Sequence, residues 1–417
     1  MKIKSLAFQI FLGLVCGIVV GAIFYQKPGV VTYLKPLGDL FIRLIRMVIV
    51  PIVLASIVLG VASLGNVKKV GKLGVKTIFY FEVITTFAIV LGLLWANFFQ
   101  PGAGLNLQEL GKADISSYLA STQAIESGGY MKTLLNIVPL NPIDAMAKGD
   151  MLAVIFFSIM LGLGIAALGE KGEPILAFFR NLSGAMFHIV HYVLRVAPFG
   201  VFGLIGVTVS RFGLASLIPL GKLLLCVYSA MFFFAIVVFG TICKMFKIHY
   251  IELLKFIKAE ILLVFSTASS ETVLPQLMEK LEKYGCPKST VSFVLPIGYS
   301  FNLDGSTLYQ SIASIFVAQL YGIDMPLSAQ ISLVLVLMVT SKGIAGVSGM
   351  ALVVLLVTFG SVGLPVEGVA FIAGIDFFLN MGRAVVNVIG NSIATILIAK
   401  WENQFDDSKR LIAIAEE

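Results

Sequence analysis

Apolar residues dominate the chain in long blocks, near 5–26, 36–64, 78–99, 151–168, 184–210 and 219–243. About 20 helical residues cross a hydrocarbon core, so each block predicts a membrane span. From about 259 to 400 the pattern changes. Apolar stretches there are interrupted by three polar or glycine-rich clusters, 266–272, 302–306 and 341–349. The first and third sit between apolar arms too short to cross comfortably alone, which predicts re-entrant hairpins. Non-helical backbone at membrane depth leaves amides and carbonyls unpaired, and it persists only where protein or a water-lined cavity covers it. Broken helices in matching places mark transporter binding sites, with freed N–H groups available to anions and freed carbonyls to cations.

The last apolar segment, about 368–400, carries Asp376, Asn380, Arg383, Asn387, Asn391 and Thr395. Successive spacings of three or four residues put all six on one helix face, and the remaining positions are almost all apolar. Such a stripe faces protein or water, because lipid cannot pair with it. Arg383 lies near the middle of the segment, where a charge costs ~2.5–3.5 kcal/mol on insertion scales. An acidic partner or an anionic guest must offset it, and a guanidinium forks well onto a carboxylate. Two readings follow: Arg383 grips a substrate carboxylate, or it is paired permanently with Asp304 or Asp376.

Composition sharpens the class. Hydrophobic residues make up 58% and charged residues only 13%, against about 25% charged in ordinary soluble domains. The net charge of +7 is scattered over connections such as Lys68, Lys69, Lys72 and Lys76, or Lys244, Lys247, Lys255 and Lys258. That distribution is a topology signal, placing these connections and both termini in the cytoplasm of an inner-membrane protein. It is not the single basic stripe of a nucleic-acid binder. The polar segment 101–150 then falls outside. The four cysteines, Cys16, Cys226, Cys243 and Cys286, lack metal-ligand spacing and read as small buried hydrophobes. His188 and His191 have no further ligands near them in sequence. No nucleophile–base pair or cofactor motif appears, so the chain is not expected to be an enzyme.

Asp304, with Asn302 before it and Gly305 and Ser306 after it, forms a hard-cation cage together with freed carbonyls. Sodium or a proton fits such a cage, whereas magnesium and calcium favour more carboxylates. Asp376, Asn387 and Asn391 are candidates to complete one or two cages, although helix–helix hydrogen bonding explains the two asparagines equally well. Ser269 and Ser270 at the first hairpin tip can bind a second substrate carboxylate or simply cap a helix. Lys342 in the second hairpin either snorkels to the interface or softens the substrate's negative charge.

Four stretches, Ser-Ser-Glu-Thr (269–272), Asn-Leu-Asp-Gly-Ser (302–306), Gly-Ile-Ala-Gly-Val (343–347) and Met-Gly-Arg-Ala-Val-Val-Asn-Val-Ile-Gly-Asn (381–391), resemble the dicarboxylate/amino acid:cation symporter family, in order and over nearly the whole chain. The resemblance implies an all-α membrane protein with eight spans, two re-entrant hairpins, a homotrimer and an elevator motion. Residues 1–258 would be mostly scaffold, with spans 3 and 6 moving with the core at 259–400, and 401–417 a cytoplasmic tail. It implies that Arg383 holds a substrate side-chain carboxylate. Ser270, Ser306 and Asn387, with Ala345 and Gly346 of the second hairpin, would line the rest of the substrate site. Asn302, Asp304, Asn387, Asn391, Thr85 and Ser341 would lie at or near cation sites.

The departures from the family's pattern matter as well. Amino-acid-carrying members usually have Asp where this chain has Asn380, and many have Arg at the place of Phe377. Strictly sodium-coupled members commonly have Asp at the place of Asn391 and Met at that of Leu303. The leading expectation is a symporter that imports glutamate or aspartate with protons, sodium or both, and no cofactor beyond the coupling ion. The alternative is a cation-coupled C4-dicarboxylate symporter. A different class, an anion channel, would need a continuous polar path.

Overall fold

A computed structural model describes residues 6–69, 72–104, 138–148, 151–342 and 350–415, and among them every regular element is helical. The first three apolar blocks become α1 (Leu6–Ile23), α2 (Pro28–Lys69) and α3 (Lys72–Phe99). A short α4 (Pro142–Lys148) precedes α5 (Met151–Ala167), α6 (Glu173–Phe212), α7 (Ile218–Phe233) and α8 (Phe239–Met245). Helices α2 and α6 run to 42 and 40 residues, well past their apolar blocks, because their polar ends stay helical beyond the lipid-length stretch. Among the described residues, three helices, Leu73–Phe99, Ile218–Met245 and Asp376–Trp401, are long and apolar enough to cross a membrane by length and composition, and five further apolar helices are shorter.

Two packing groups position the site. In the first, α1, α2, α5 and α6 pack on one another. Gly13, Gly17 and Gly21 make a small-residue ridge on α1, where added Cβ atoms would collide with the α6 backbone at Pro198, Phe202 and Gly206. With no hydrophobic drive between helices in lipid, such close backbone approach supplies the packing.

The second group is built around α17 (Asp376–Trp401) and includes α10 (Lys258–Thr267), α12 (Lys288–Phe301) and α13 (Asp304–Leu320). Although early in sequence, α3 and α7 also pack here, and α3 lies along α13. Its outer face shows a row of exposed apolar side chains, Val75, Phe79, Val83, Phe87, Val90, Leu94 and Phe98, at helical spacing. The α7–α8 span contains a π-turn at Phe234–Val238, and Tyr250 Oη donates to the Ala235 carbonyl within it at 2.7 Å.

The cluster at 266–272 separates an apolar arm from one that is amphipathic rather than apolar as expected, since Leu274–Lys283 carries Glu279, Lys280, Glu282 and Lys283, whereas the helices that end at Thr340 and begin at Met350 are both apolar. After α9 (Tyr250–Phe256), α10 and α11 (Leu274–Lys283) are two arms of 10 residues each, joined by a turn with Ala268 at φ 52°. Ten residues rise about 15 Å, half a hydrocarbon core. The second pair, α14 (Leu327–Thr340) and α15 (Met350–Val362), pack together, with Thr340 Oγ1 and Thr358 Oγ1 3.3 Å apart. The 343–349 link between them, including Ala345 and Gly346, lies outside the described residues.

The segment expected as one helix over 368–400 is divided into α16 (Glu367–Ala373) and α17. Asp376 therefore stands in the first turn of α17, where a carboxylate is favoured by the helix dipole, rather than inside a longer helix. The last element, α18 (Asp407–Ala415), is tied back to the body. Arg410 Nη1 meets Glu252 Oε1 at 2.6 Å, and Tyr284 Oη donates to the same oxygen at 3.0 Å.

Candidate functional site

The polar stripe of α17 faces protein along its length. Asp376, Arg383, Asn387, Asn391 and Thr395 are all buried. Going down the helix, each turn meets a different interruption of the surrounding helices. Asn380 Nδ2 donates to the Ala268 carbonyl at the first hairpin tip at 2.6 Å. Asn387 Oδ1 accepts the Gly305 N–H at 2.8 Å, and its Nδ2 donates to Ser306 Oγ at 3.1 Å. Asn391 Oδ1 accepts from Asn302 Nδ2 at 3.1 Å.

Arg383 is fully buried. Its Nη2 donates to Asn380 Oδ1 at 2.9 Å, and its guanidinium lies over the Tyr309 ring, 4.2 Å from the centroid. Its Nη1 is 3.0 Å from Asp376 Oδ1, an ion-pair distance, but without hydrogen-bond geometry. Nε and Nη1 have no hydrogen-bond partner among the described residues. A buried guanidinium with two donors unmatched is costly unless something else accepts from them. Positive charge, a stacked aromatic floor and spare donors on one fork are what a carboxylate guest requires.

The break between α12 and α13 builds the second half of the site. Gly305 N–H, which would continue the helix to the Phe301 carbonyl, is taken by Asn387 instead, and Asn302 and Leu303 adopt non-helical angles. Asn302 Nδ2 also donates to Asp304 Oδ2 at 3.2 Å. Asp304, Asn302 and Asn391 are buried, and Asp304 Oδ1 and Asn302 Oδ1 have no hydrogen-bond partner among the described residues. Two unmatched oxygens, one on a carboxylate, form a hard-cation donor set. Glycines make the room: a Cβ at Gly298 would strike Asn391 Oδ1, and one at Gly390 would lie 2.5 Å from Asp304 Oδ2.

The structure thus brings Arg383, Asn380, Asn387 and Ser306 to one side of the break, and Asn302, Asp304 and Asn391 to the other. Ser270 is buried at the start of the turn Ser270–Val273, and the Ser269 carbonyl accepts from Thr272 Oγ1 at 2.8 Å. Ser341 is buried, with Oγ unpartnered among the described residues. Asp376, a candidate cation ligand, is set against Arg383 and takes no part in the hydrogen-bonded Asn302–Asp304–Asn391 group. It stands seven residues before Arg383 on one face, and long helical side chains point toward the N-terminus. The paired reading of Arg383 is therefore present in this state, yet Asp376 leaves the fork incompletely matched.

Lys342 does not snorkel to the interface but is held by α3 and the end of α12. Its Nζ donates to Thr85 Oγ1 at 2.9 Å and to the Phe301 carbonyl at 3.1 Å, and lies 3.2 Å from Glu82 Oε1. Thr85 in turn donates to the Phe81 carbonyl at 2.6 Å. Sequence reasoning missed Glu82 and Tyr309. Glu82 carried a usable signal, a carboxylate within the apolar block 78–99. Tyr309 carried none, since a tyrosine in an apolar helix is ordinary.

Comparison with known proteins assigns the family. The family model described as the sodium:dicarboxylate symporter family matches residues 6–401. The chain is 59% identical over 416 residues to a proton/sodium-glutamate symport protein of Geobacillus stearothermophilus, covering 100% of this chain and 99% of the relative. It is 53% identical to a proton/glutamate-aspartate symporter of Escherichia coli K12, covering 98% and 95%. Against a C4-dicarboxylate transport protein of Bacillus subtilis 168 the identity is 47%, covering 99% and 97%. A single motif could arise by chance, but a family match from the first helix to the end of α17 cannot, and the chain belongs to the sodium:dicarboxylate symporter family.

Proposed function

We propose that this protein is a secondary symporter importing glutamate or aspartate with protons, sodium or both. The observation that carries the reading is Arg383, a buried guanidinium whose Nε and Nη1 lack hydrogen-bond partners among the described residues. A substrate side-chain carboxylate takes those donors. Ser270, Ser306 and Asn387 hold the rest of the substrate, together with Ala345 and Gly346. Cations bind at Asp304, Asn302 and Asn391, with Thr85 and Ser341 nearby. The high identity to relatives named as glutamate symporters supports this substrate class.

Coupling follows from electrostatics. Moving one charge against the membrane potential costs ~2.3 kcal/mol per 100 mV, so inward transport of an anion requires co-transported cation charge that exceeds it. The protein works as a homotrimer in the inner membrane with both termini cytoplasmic. The group around α17, with α3 and the α7–α8 span, slides as a transport unit against α1, α2, α5 and α6. The division of the packing into those two groups supports this assignment.

A second reading, C4-dicarboxylate symport, is favoured by Asn380. Its amide carries no charge to receive an amino group, and it is occupied by Arg383 and the Ala268 carbonyl. Uptake into liposomes of glutamate, aspartate, succinate, fumarate and malate, under separately imposed sodium and proton gradients, decides between them. Saturable glutamate or aspartate uptake driven by either gradient is the expected result. Flux that is linear in driving force and independent of both gradients would indicate a channel and overturn the reading.

A further inference from the structure

Lys342 follows α14 directly and sends its ammonium into protein rather than to the surface. Its side chain is 12% exposed, and Nζ is met by three oxygens of different kinds. They are the Thr85 hydroxyl at 2.9 Å, the Phe301 main-chain carbonyl at 3.1 Å and the Glu82 carboxylate at 3.2 Å. An ammonium has three donors and no acceptor, so this set matches it fully. Hydroxyl, carbonyl and carboxylate oxygens are also what a hard inorganic cation takes. The Phe301 carbonyl is free only because the helix breaks there, its helical partner Gly305 N–H having gone to Asn387. Thr85 already spends its proton on Phe81, so its hydroxyl turns a lone pair to the incomer. These are three oxygens arranged as a cation site, filled by a side chain of the protein.

We propose that Lys342 is a tethered cation. Its ammonium occupies an oxygen-lined site formed by Thr85, Glu82 and the Phe301 carbonyl that would otherwise take an inorganic monovalent cation. The built-in charge sits next to the Asp304 cage, and the protein consequently needs one fewer mobile cation there. Glu82 is a ligand of this site, which explains an acid within an otherwise apolar span. The inference rests on the proposed cation-coupled function, and the test below separates the two.

The test uses the full-length protein in lipid nanodiscs and reads the sodium dependence of glutamate binding and of Tm, with choline chloride at equal ionic strength as control. In Lys342→Ala the vacated oxygens should take sodium. The Hill coefficient for sodium in glutamate binding should rise by about one over wild type, and a new saturable sodium-dependent rise in Tm should appear. Lys342→Ala combined with Glu82→Gln should lose most of that gain. Cys16 is exposed, contrary to the expectation that all four cysteines are buried, so Lys342→Cys in a Cys16→Ser background keeps the question open to test if the alanine variant accumulates poorly. There the extra sodium step should vanish once the cysteine carries an aminoethyl disulfide, which returns a primary ammonium. A sodium response of the alanine variant equal to wild type, or of the cysteine variant unchanged by verified labelling, overturns the tethered cation. Glutamate binding that is indifferent to sodium and protons in wild type would instead overturn the coupled-transport reading.

Discussion

Lys342, which is mostly covered, and Arg383, which is fully buried, are cations beside the same break between α12 and α13, but their surroundings differ in completeness. Lys342 has three donors and three oxygens to receive them. Arg383 has one clear hydrogen bond, an aromatic floor and an offset acid, with Nε and Nη1 unmatched among the described residues. A complete shell marks a charge that serves as part of the protein. On the proposed reading an incomplete shell is kept for a guest, because leaving buried donors unpaired is otherwise only a cost.

The largest effect that could break this contrast is at Arg383. Truncating one partner of a buried, hydrogen-bonded charge pair costs about 2–5 kcal/mol, so Arg383→Ala should weaken glutamate binding roughly thirtyfold or more. Lys342→Ala should retain measurable binding. Isothermal titration of both variants checks this, and equal losses would erase the distinction. Next in size is Asp304→Asn, which removes the charge from the cage. Coupled uptake in liposomes should fall at least about tenfold, and binding should lose its dependence on cation concentration. A steep dependence surviving in that variant would move the cation site elsewhere.

A smaller effect of opposite sign is predicted at Asp376. If its carboxylate competes with substrate for Arg383, Asp376→Asn should bind dicarboxylates several-fold more tightly. The same change should lower Tm, since breaking a buried pair destabilises the empty protein by about 3–5 kcal/mol at most. Affinity falling together with Tm would make Asp376 a permanent partner. The smallest shift is for Asn380→Asp, which should raise glutamate or aspartate binding a few-fold relative to succinate in a competition assay. An unmoved preference would remove position 380 from substrate selection.

Much of the second packing group could be read from the sequence, because polar residues in apolar surroundings are rare and costly enough to be informative. The stripe from Asp376 to Thr395 shares one face as its spacing requires. The clusters at 266–272 and 302–306 fall where the helices turn or break. The start of α17 was not legible. Val369, Ala370, Phe371, Ile372 and Ala373 continue the apolar pattern, and the one local stop signal, Gly374, is a residue type that recurs inside the apolar helices and so does not by itself announce that a helix ends before Asp376. The destination of Lys342 was hidden for a different reason. Its partners come from α3 and the end of α12, hundreds or tens of residues away, and a freed carbonyl such as that of Phe301 has no side-chain signature. The packing of α3 against α13 is similarly non-local, resting on small residues such as Gly92, where a Cβ would collide with Ser311 Oγ.

What accepts from the unmatched donors of Arg383 decides its role. A cryo-EM map of the protein with bound glutamate in sodium-containing buffer answers this directly. A substrate carboxylate oxygen is expected within about 3 Å of Arg383 Nε or Nη1, with Asp376 displaced or sharing the fork. Substrate density elsewhere, with Arg383 still held by Asp376 and Asn380 alone, would contradict that expectation.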